Sequence, residues 1–425
     1  MLDIKFIREN KDLVDLAAKK KQLKFNVGEL IIIDDKRKEL LLKIEAKRAE
    51  QNQVSAEIVK ITDASEKQVI LTKMKTVKEE MQKSEEEMKE VMKNWQNLML
   101  QVPNIPDISV PDGKDDSENK EVKAVGKIPQ FNFTPKDHIA LMESLDSADF
   151  ETGAKVSGFR GYFLKNEGAL LVYAIWQLVN EIFMKKQWSQ MIVPSLVRRE
   201  ALFGTGYLPQ GEEDLYKTQD GDFLAGTAEV ATMSYFGDKT LSKEELPKKI
   251  IAFSPAFRRE AGSYSKDTKG IYRVHEFMKF EQVILCEASH EMSVKHHEEL
   301  LLNAEEILQA LGLPYRVVVN CGGDLGLGQV KKYDIEVWIP SQNKYRESHS
   351  CSYFHDFQTR RLNIRYKDTD GKTKFAHSLN NTAIATPRIL ISILENYQQE
   401  DGSIKIPEVL QKYLGGKTII SRSKK

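Results

Sequence analysis

Cysteine is scarce: Cys286, Cys321 and Cys351 are the only three in 425 residues, and they lie far apart. That excludes a disulfide framework and any C-x-x-C motif, and it fits a reducing compartment. A net charge is missing as well. Lys+Arg and Asp+Glu both number 63, so no global field draws this chain to nucleic acid, and any such surface must be local. Long apolar runs are also absent near the start, where Met1 to Asn10 alternates charged and apolar residues. Neither a signal peptide nor a membrane span is predicted, and the cytoplasm is the expected location. Two motifs fail on spacing. His290-Glu291 and His296-His297 miss H-E-x-x-H because Val294 stands where the second histidine belongs, so they read as a solvated helix face. The glycine-rich run from Gly322 to Gly328 is neither G-x-G-x-x-G nor a P-loop, since it lacks the Lys-Ser/Thr.

What is present is enough for two or three domains with a sizeable core, hydrophobic residues making up 41%. A short helix is expected over residues 4–20. From residue 30 a stripe alternates by four and three through Ile33, Arg37, Leu40, Ile44, Lys47, Gln51, Val54, Ile58 and Ile61, six of the nine apolar. After a polar break at 62–65 it resumes at Ile70, Met74, Val77, Met81, Ser84, Met88, Val91, Trp95 and Leu98, eight of the nine apolar or aromatic. Two heptad helices joined by a polar turn predict an antiparallel helical hairpin within residues 1–102. Its outer face mixes lysines with nearly as many acids, so heptads and charge alone are equally satisfied by a dimerising coiled coil or a spacer. Residues 103–130, rich in Asp, Lys, Gly and Ser beyond Pro111, read as a linker, and 131–425 as one further domain. A basic, disordered tail is expected over 421–425.

The most informative stretch runs from Phe257-Arg258-Arg259-Glu260 through a polar loop to Arg273-Val274-His275-Glu276-Phe277 and Lys279-Phe280-Glu281. It reads as strand, loop, strand. Arginines can fork onto phosphate oxygens, an aromatic can stack on a base, and carboxylates can hold an amine or hydroxyl. By residue type alone the favoured reading is a charged hairpin on a surface. Similarly, Gly226-Thr227-Ala228-Glu229 could be a helix N-cap, and Met191-Ile192-Val193-Pro194 an edge strand holding a proline.

The hairpin resembles motif 2 of the class II aminoacyl-tRNA synthetases, and the fuller string is similar to the seryl-tRNA synthetase family over nearly the whole chain. The resemblance implies an α+β fold: an antiparallel β-sheet catalytic domain with flanking helices, preceded by the helical hairpin, which would lie on the long variable arm of a tRNA. It implies that Thr227, Ala228, Glu229, Glu281 and Thr382 contact serine, with Asn380 supporting that loop. ATP would be held by Arg258, Arg259, Glu260, Val274, Phe277, Glu347, Ser348, His349, Ser350 and Arg388, with Arg258 and Arg388 acting in catalysis and Mg2+ on Glu347 and Ser350. Ser348 and His349 depart from the family's aliphatic-Ser pair. Asn381, Thr382 and Pro387 replace residues usual in bacterial motif 3. The implied reaction is ATP-dependent activation of L-serine and its transfer to tRNA(Ser) and tRNA(Sec), by a homodimer joined through the motif 1 stretch at 191–197. No membrane partner is implied. A paralogue loading a carrier protein and a non-catalytic scaffold are the rival readings. Such carrier-loading relatives typically lack the hairpin, and a scaffold has no use for the intact polar set.

Overall fold

The structure, a computed structural model, describes residues 1–58, 61–263 and 267–422. The expected disorder at 423–425 lies outside them. Contacts divide the chain into two units, Met1–Pro103 and Asn104–Lys425.

In the first unit the helix expected over 4–20 is two helices, Ile4–Glu9 and Lys11–Lys20, because Asn10 turns its side-chain amide back onto the Phe6 carbonyl (3.0 Å). Helix α1 (Val27–Ile58) and helix α2 (Ala64–Gln101) pack against each other. Asp63 starts α2, its carboxylate accepting from the Glu66 N–H at 2.9 Å. Leu40, Ile44, Val77, Ser84 and Val91 are buried, all of them stripe positions. Ion pairs Lys36–Glu87, Lys47–Glu80 and Arg48–Glu85 bridge the helices at 2.7, 2.8 and 3.1 Å. With 32 and 38 residues, the helices are about 48 and 57 Å long at 1.5 Å per residue.

The second unit is built on eight strands: β1 (Lys120–Val125), β2 (Ser189–Ile192), β3 (Lys248–Phe257), β4 (Glu276–Cys286), β5 (Tyr315–Val319), β6 (Lys331–Ile339), β7 (Lys344–His355) and β8 (His377–Ala385). Their order is β1-β5-β6-β7-β8-β4-β3-β2, antiparallel throughout except for the β2–β3 pair at one edge. Residues 103–130 are therefore not a free linker: they supply an edge strand of the main sheet. Asn104 is buried, and its side-chain amide donates to the Gly328 and Phe354 carbonyls (3.0 and 2.7 Å).

Helices α3 (Asn166–Lys185), α4 (His290–Ala310) and α5 (Thr386–Asn396) build the core against this sheet through Ile175, Phe183, Leu300, Ile307, Ile389 and Ile393. Side chains alternate across a strand. Gln282 and Asn381, paired across β4 and β8, both donate to the Leu300 carbonyl of α4, at 3.2 and 2.7 Å. Their neighbours Glu281, Asn380 and Thr382 therefore face the opposite side, away from α4. The solvated face expected on α4 holds at His290 and Glu291, which are exposed, and is corrected at the other two histidines. His296 and His297 are buried, the first beside Glu299 (2.9 Å), the second donating to the Cys351 carbonyl (3.0 Å) and stacked on Tyr333.

Candidate active site

Two adjoining cavities open on the sheet face that α4 leaves free. The first encloses about 370 Å³ and the second about 170 Å³. Arg258, Lys279, Ser350 and Thr382 line both, so the two meet at these residues.

The first cavity contains two carboxylates. Glu229 begins the helix Glu229–Tyr235 and is buried; it accepts from Gln358 Nε2 (2.6 Å) and the Tyr207 hydroxyl (3.0 Å). Gln358 is fixed in turn by the Ser378 hydroxyl at 2.7 Å. Burial is the main cause raising Glu229 to about 7, with the Glu281 charge adding to it, while the Gln358 and Tyr207 hydrogen bonds and Lys279 oppose it. Glu281, opposite Thr382 in the β4–β8 pair, forms a buried ion pair with Lys279. Lys279 Nζ also donates to Thr227 Oγ1 at 3.2 Å. Asn380 and Thr382 complete this wall.

The second cavity lies between the β3–β4 hairpin and α5. Arg258 follows β3, its guanidinium donating to the Gly226 carbonyl (3.3 Å) and resting 5.5 Å from the Phe277 ring. His275 Nδ1–H donates to the Arg258 carbonyl at 2.9 Å, which pins the residue's backbone. Glu260, in the left-handed region at φ 55°, pairs with Arg273 (3.1 Å). Across the cavity Arg388 approaches Glu347 (3.3 Å), and both arginines Arg346 and Arg388 lie over the Tyr272 ring at 3.8 and 4.8 Å. Burial would raise the Glu347 carboxylate, but Arg388, Lys332 and Arg258 together hold it well below its ordinary value. A cleft with an aromatic face, guanidinium groups from two elements and one ionised carboxylate suits a nucleoside polyphosphate.

β7 carries a bulge that decides which of its residues reach this cleft. Glu336 pairs with Glu347 and Ile335 with His349, so Ser348 is the extra residue. The bulge shifts the alternation by one, and Glu347 and Ser350, three apart, both line the second cavity.

Residues 1–106 match the seryl-tRNA synthetase N-terminal domain, and 216–397 match the class II tRNA synthetase core domain for G, H, P, S and T. A serine–tRNA ligase of Deinococcus radiodurans is 44% identical over 423 residues, covering 99% of each chain. The chain belongs to the seryl-tRNA synthetase family. Among solved structures, a seryl-tRNA synthetase from Pyrococcus horikoshii complexed with ATP aligns over 100% of both chains at TM-score 0.91 and 38% identity. The cytoplasmic serine–tRNA ligase of Naegleria fowleri with AMP gives TM-score 0.86 at 30% identity, over 100% of this chain and 99% of that one.

Most residues singled out by likeness to seryl-tRNA synthetases converge. Glu229, Glu281, Asn380 and Thr382 line the first cavity. Glu260, Val274, Phe277, Glu347, Ser348 and Arg388 line the second, and Arg258, Ser350 and Thr382 line both. Four do not line either. Arg259 is exposed and turned outward onto the Glu213 carbonyl (3.2 Å), since successive residues leaving a strand alternate sides. His349 sits on the buried face after the bulge, Nε2–H donating to the Ala383 carbonyl at 3.0 Å, and burial lowers it to about 4. Ala228 is buried, and Thr227 stands behind Lys279. Asn381 also faces α4, so its departure from the bacterial pattern lies outside the cavities. Sequence reading quoted Lys279 without giving it a role, and missed Tyr207, Tyr272, Arg346 and Gln358. Lys279 had a signal, two positions from Glu281 on a strand; Tyr207 and Gln358 had none, being distant in sequence.

Proposed function

We propose that this chain activates L-serine with ATP to seryl-adenylate and then transfers the seryl group to tRNA(Ser). The observation that carries this reading is the junction at Arg258, where a cavity holding Glu229 and Glu281 meets a cleft built for a nucleotide. Glu229 receives the serine ammonium. Glu281, supported by Lys279, accepts the hydrogen bond of the serine hydroxyl, with Thr382 beside it and Asn380 bracing the strand. Alanine would leave Glu281 without that partner, while threonine is excluded by shape. Phe277 stacks on the adenine, and Val274 and Glu260 meet its edge.

The nucleophile is the serine carboxylate, already ionised at neutral pH, so no general base is required. One carboxylate oxygen forms a bond to the α-phosphorus and pyrophosphate leaves with the electron pair. Arg258 holds the α-phosphate and the serine carboxylate together, and Arg388 grips the outgoing phosphates; positioning and charge neutralisation do the work. In the second step a ribose hydroxyl bonds to the seryl carbonyl carbon. AMP departs with the carbon–oxygen electron pair, and its phosphate takes up the hydroxyl proton. Glu347 and Ser350 offer hard oxygen donors in one cleft, which fits Mg2+, an ion held by one or two carboxylates together with substrate phosphates. Bound there, it would neutralise phosphate charge.

The hairpin α1–α2, with its mixed-charge outer face, serves as the tRNA arm, reading backbone and shape rather than base edges. tRNA(Sec) shares this proposed mode as a second acceptor. Pairing across the β2 edge, where Ile192 is 86% exposed, joins two copies. No helix among the described residues is long and apolar enough to cross a membrane. The test is amino-acid-dependent exchange of labelled pyrophosphate into ATP with serine, threonine, alanine, cysteine and glycine. Exchange with serine alone is expected; exchange with another amino acid overturns the Glu281 role, and none at all overturns the reaction.

A further inference from the structure

His290-Glu291 fails as an H-E-x-x-H motif, but folding gives His290 a different partner. It opens α4 and is exposed. Its Nδ1 lies 3.3 Å from Nε2 of His355, the last residue of β7, 65 positions away. A third imidazole, His377 at the start of β8, has its ring centre 4.8 Å from that of His355. His377 is held in place by the Ser293 hydroxyl at 2.8 Å. Neither His290 nor His355 lines either cavity of the active site.

The 3.3 Å separation has a chemical meaning. Zinc–nitrogen bonds run about 2.0–2.1 Å, so two ligands of a tetrahedral zinc stand about 3.3 Å apart, against about 2.9 Å for neighbouring ligands of a square-planar or octahedral ion. The two ring nitrogens already stand at the tetrahedral spacing. Behind His290, Asp107 Oδ2 lies 3.6 Å from Nε2. Asp107 is itself fixed, accepting from the Tyr353 hydroxyl (2.7 Å) and the Ser109 N–H (2.8 Å). A carboxylate on the far nitrogen of a ligating imidazole orients the ring, sets its tautomer and raises its basicity. Burial lowers His355 to about 4, with His377 and His290 adding to it, so its ring is neutral at pH 7 and keeps a lone pair. Asp107 and Asp356 both act electrostatically on His355, and their charge offsets the positive end of α4. Among the described residues no three His, Cys, Asp or Glu side chains are placed to hold one ion, so two imidazoles and water make up the shell.

We propose that His290 and His355 form a Zn2+ site that clasps the start of α4 to the end of β7. Zinc takes the place of the proton the two rings share, and His355 carries its N–H on Nδ1 instead. Nitrogen donors at this spacing select zinc over Mg2+, which takes oxygen donors in octahedral geometry. The clasp adjoins Phe354, which lines the first cavity, so the ion steadies that wall from outside.

The full chain, free of ATP and serine, is titrated with Zn2+ by calorimetry and with Co2+ by visible absorption, where tetrahedral Co2+ absorbs strongly and octahedral Co2+ weakly. One Zn2+ per chain and a tetrahedral Co2+ spectrum are expected, with no competition from Mg2+. His290→Gln changes an exposed side chain and keeps the fold; it is expected to weaken zinc by about tenfold or more, as is His355→Gln. Serine-dependent pyrophosphate exchange by zinc-free His290→Gln stays at the parent level. No zinc uptake by the parent chain overturns the proposal. So does uptake unchanged in His290→Gln, which places the ion elsewhere, or an octahedral Co2+ spectrum, which removes the tetrahedral pair.

Discussion

Glu229 and Glu281 share a cavity but have different partners, and the difference is measurable. Glu229 is held by neutral donors, and burial lifts it from 4.5 to about 7. In the proposed role Glu229 receives the serine ammonium in its charged form, so the KM for serine is expected to rise about tenfold per pH unit as pH falls below 7 and to level off above it. Pyrophosphate exchange between pH 5.5 and 8 checks this, and Glu229→Gln should flatten the profile. Stability moves the opposite way. The folded state keeps this proton up to about 7 while the unfolded chain releases it near 4.5, so the group favours folding most at low pH and loses that contribution as pH rises through 7. Glu281 is paired with Lys279 instead. Glu281→Ala removes a charged acceptor and leaves a buried ammonium without its carboxylate, and serine activation should fall by about a hundredfold, read as kcat/KM in exchange. The Thr-x-Glu and Lys-x-Glu spacings were legible as strings. That Gln358, 129 residues from Glu229, would clamp its carboxylate was not, because only folding brings those segments together.

At the scale of elements, the proposed function assigns the hairpin and the sheet to different half-reactions. Replacing residues 30–98 by a short turn should leave serine-dependent exchange intact and collapse tRNA acylation; an acceptor still charged normally would favour a carrier-protein substrate. Segment 103–130 is the element whose composition misled. Its Asp, Lys, Gly and Ser read as linker, yet β1 pairs with β5 and Asn104 is buried. Polar residues suit an edge strand, which keeps one side in water. Asn104→Ala strips two buried carbonyls of their donor and should lower stability by about 1–3 kcal/mol, visible as a lower Tm or urea midpoint. The bulge at Ser348 is a second device of this scale. It places Glu347 and Ser350 on one face, where a regular strand would set them on opposite faces.

At the scale of the whole molecule, full-length likeness to serine–tRNA ligases places both units in one family. The proposed pairing of two copies is tested on β2. Ile192 projects from the sheet edge, and Ile192→Glu places a charge in the centre of that contact, so sedimentation should show a monomer where the parent chain is a dimer. Acylation should fall with it. An unchanged sedimentation coefficient in the variant and a parent monomer would each remove β2 as the joining surface.

Periodicity by itself determined the hairpin: a four-three stripe needs no partner beyond the neighbouring helix, so Leu40, Ile44, Val77 and Val91 were readable as its seam. Motif strings likewise carried Arg258, Phe277, Glu281 and Thr382, which sit on strands or a strand end whose spacing fixes their facing, and Glu229 and Arg388, which sit in the first turns of helices. Tertiary structure alone decided that Arg259 and His349 turn away, that His296 and His297 are buried, and that the glycine run walls the cavity. Each of these depends on a strand's register, a bulge or a helix packed on the far face of the sheet. Such facts arise from contacts between distant segments, and no local pattern of residues encodes them.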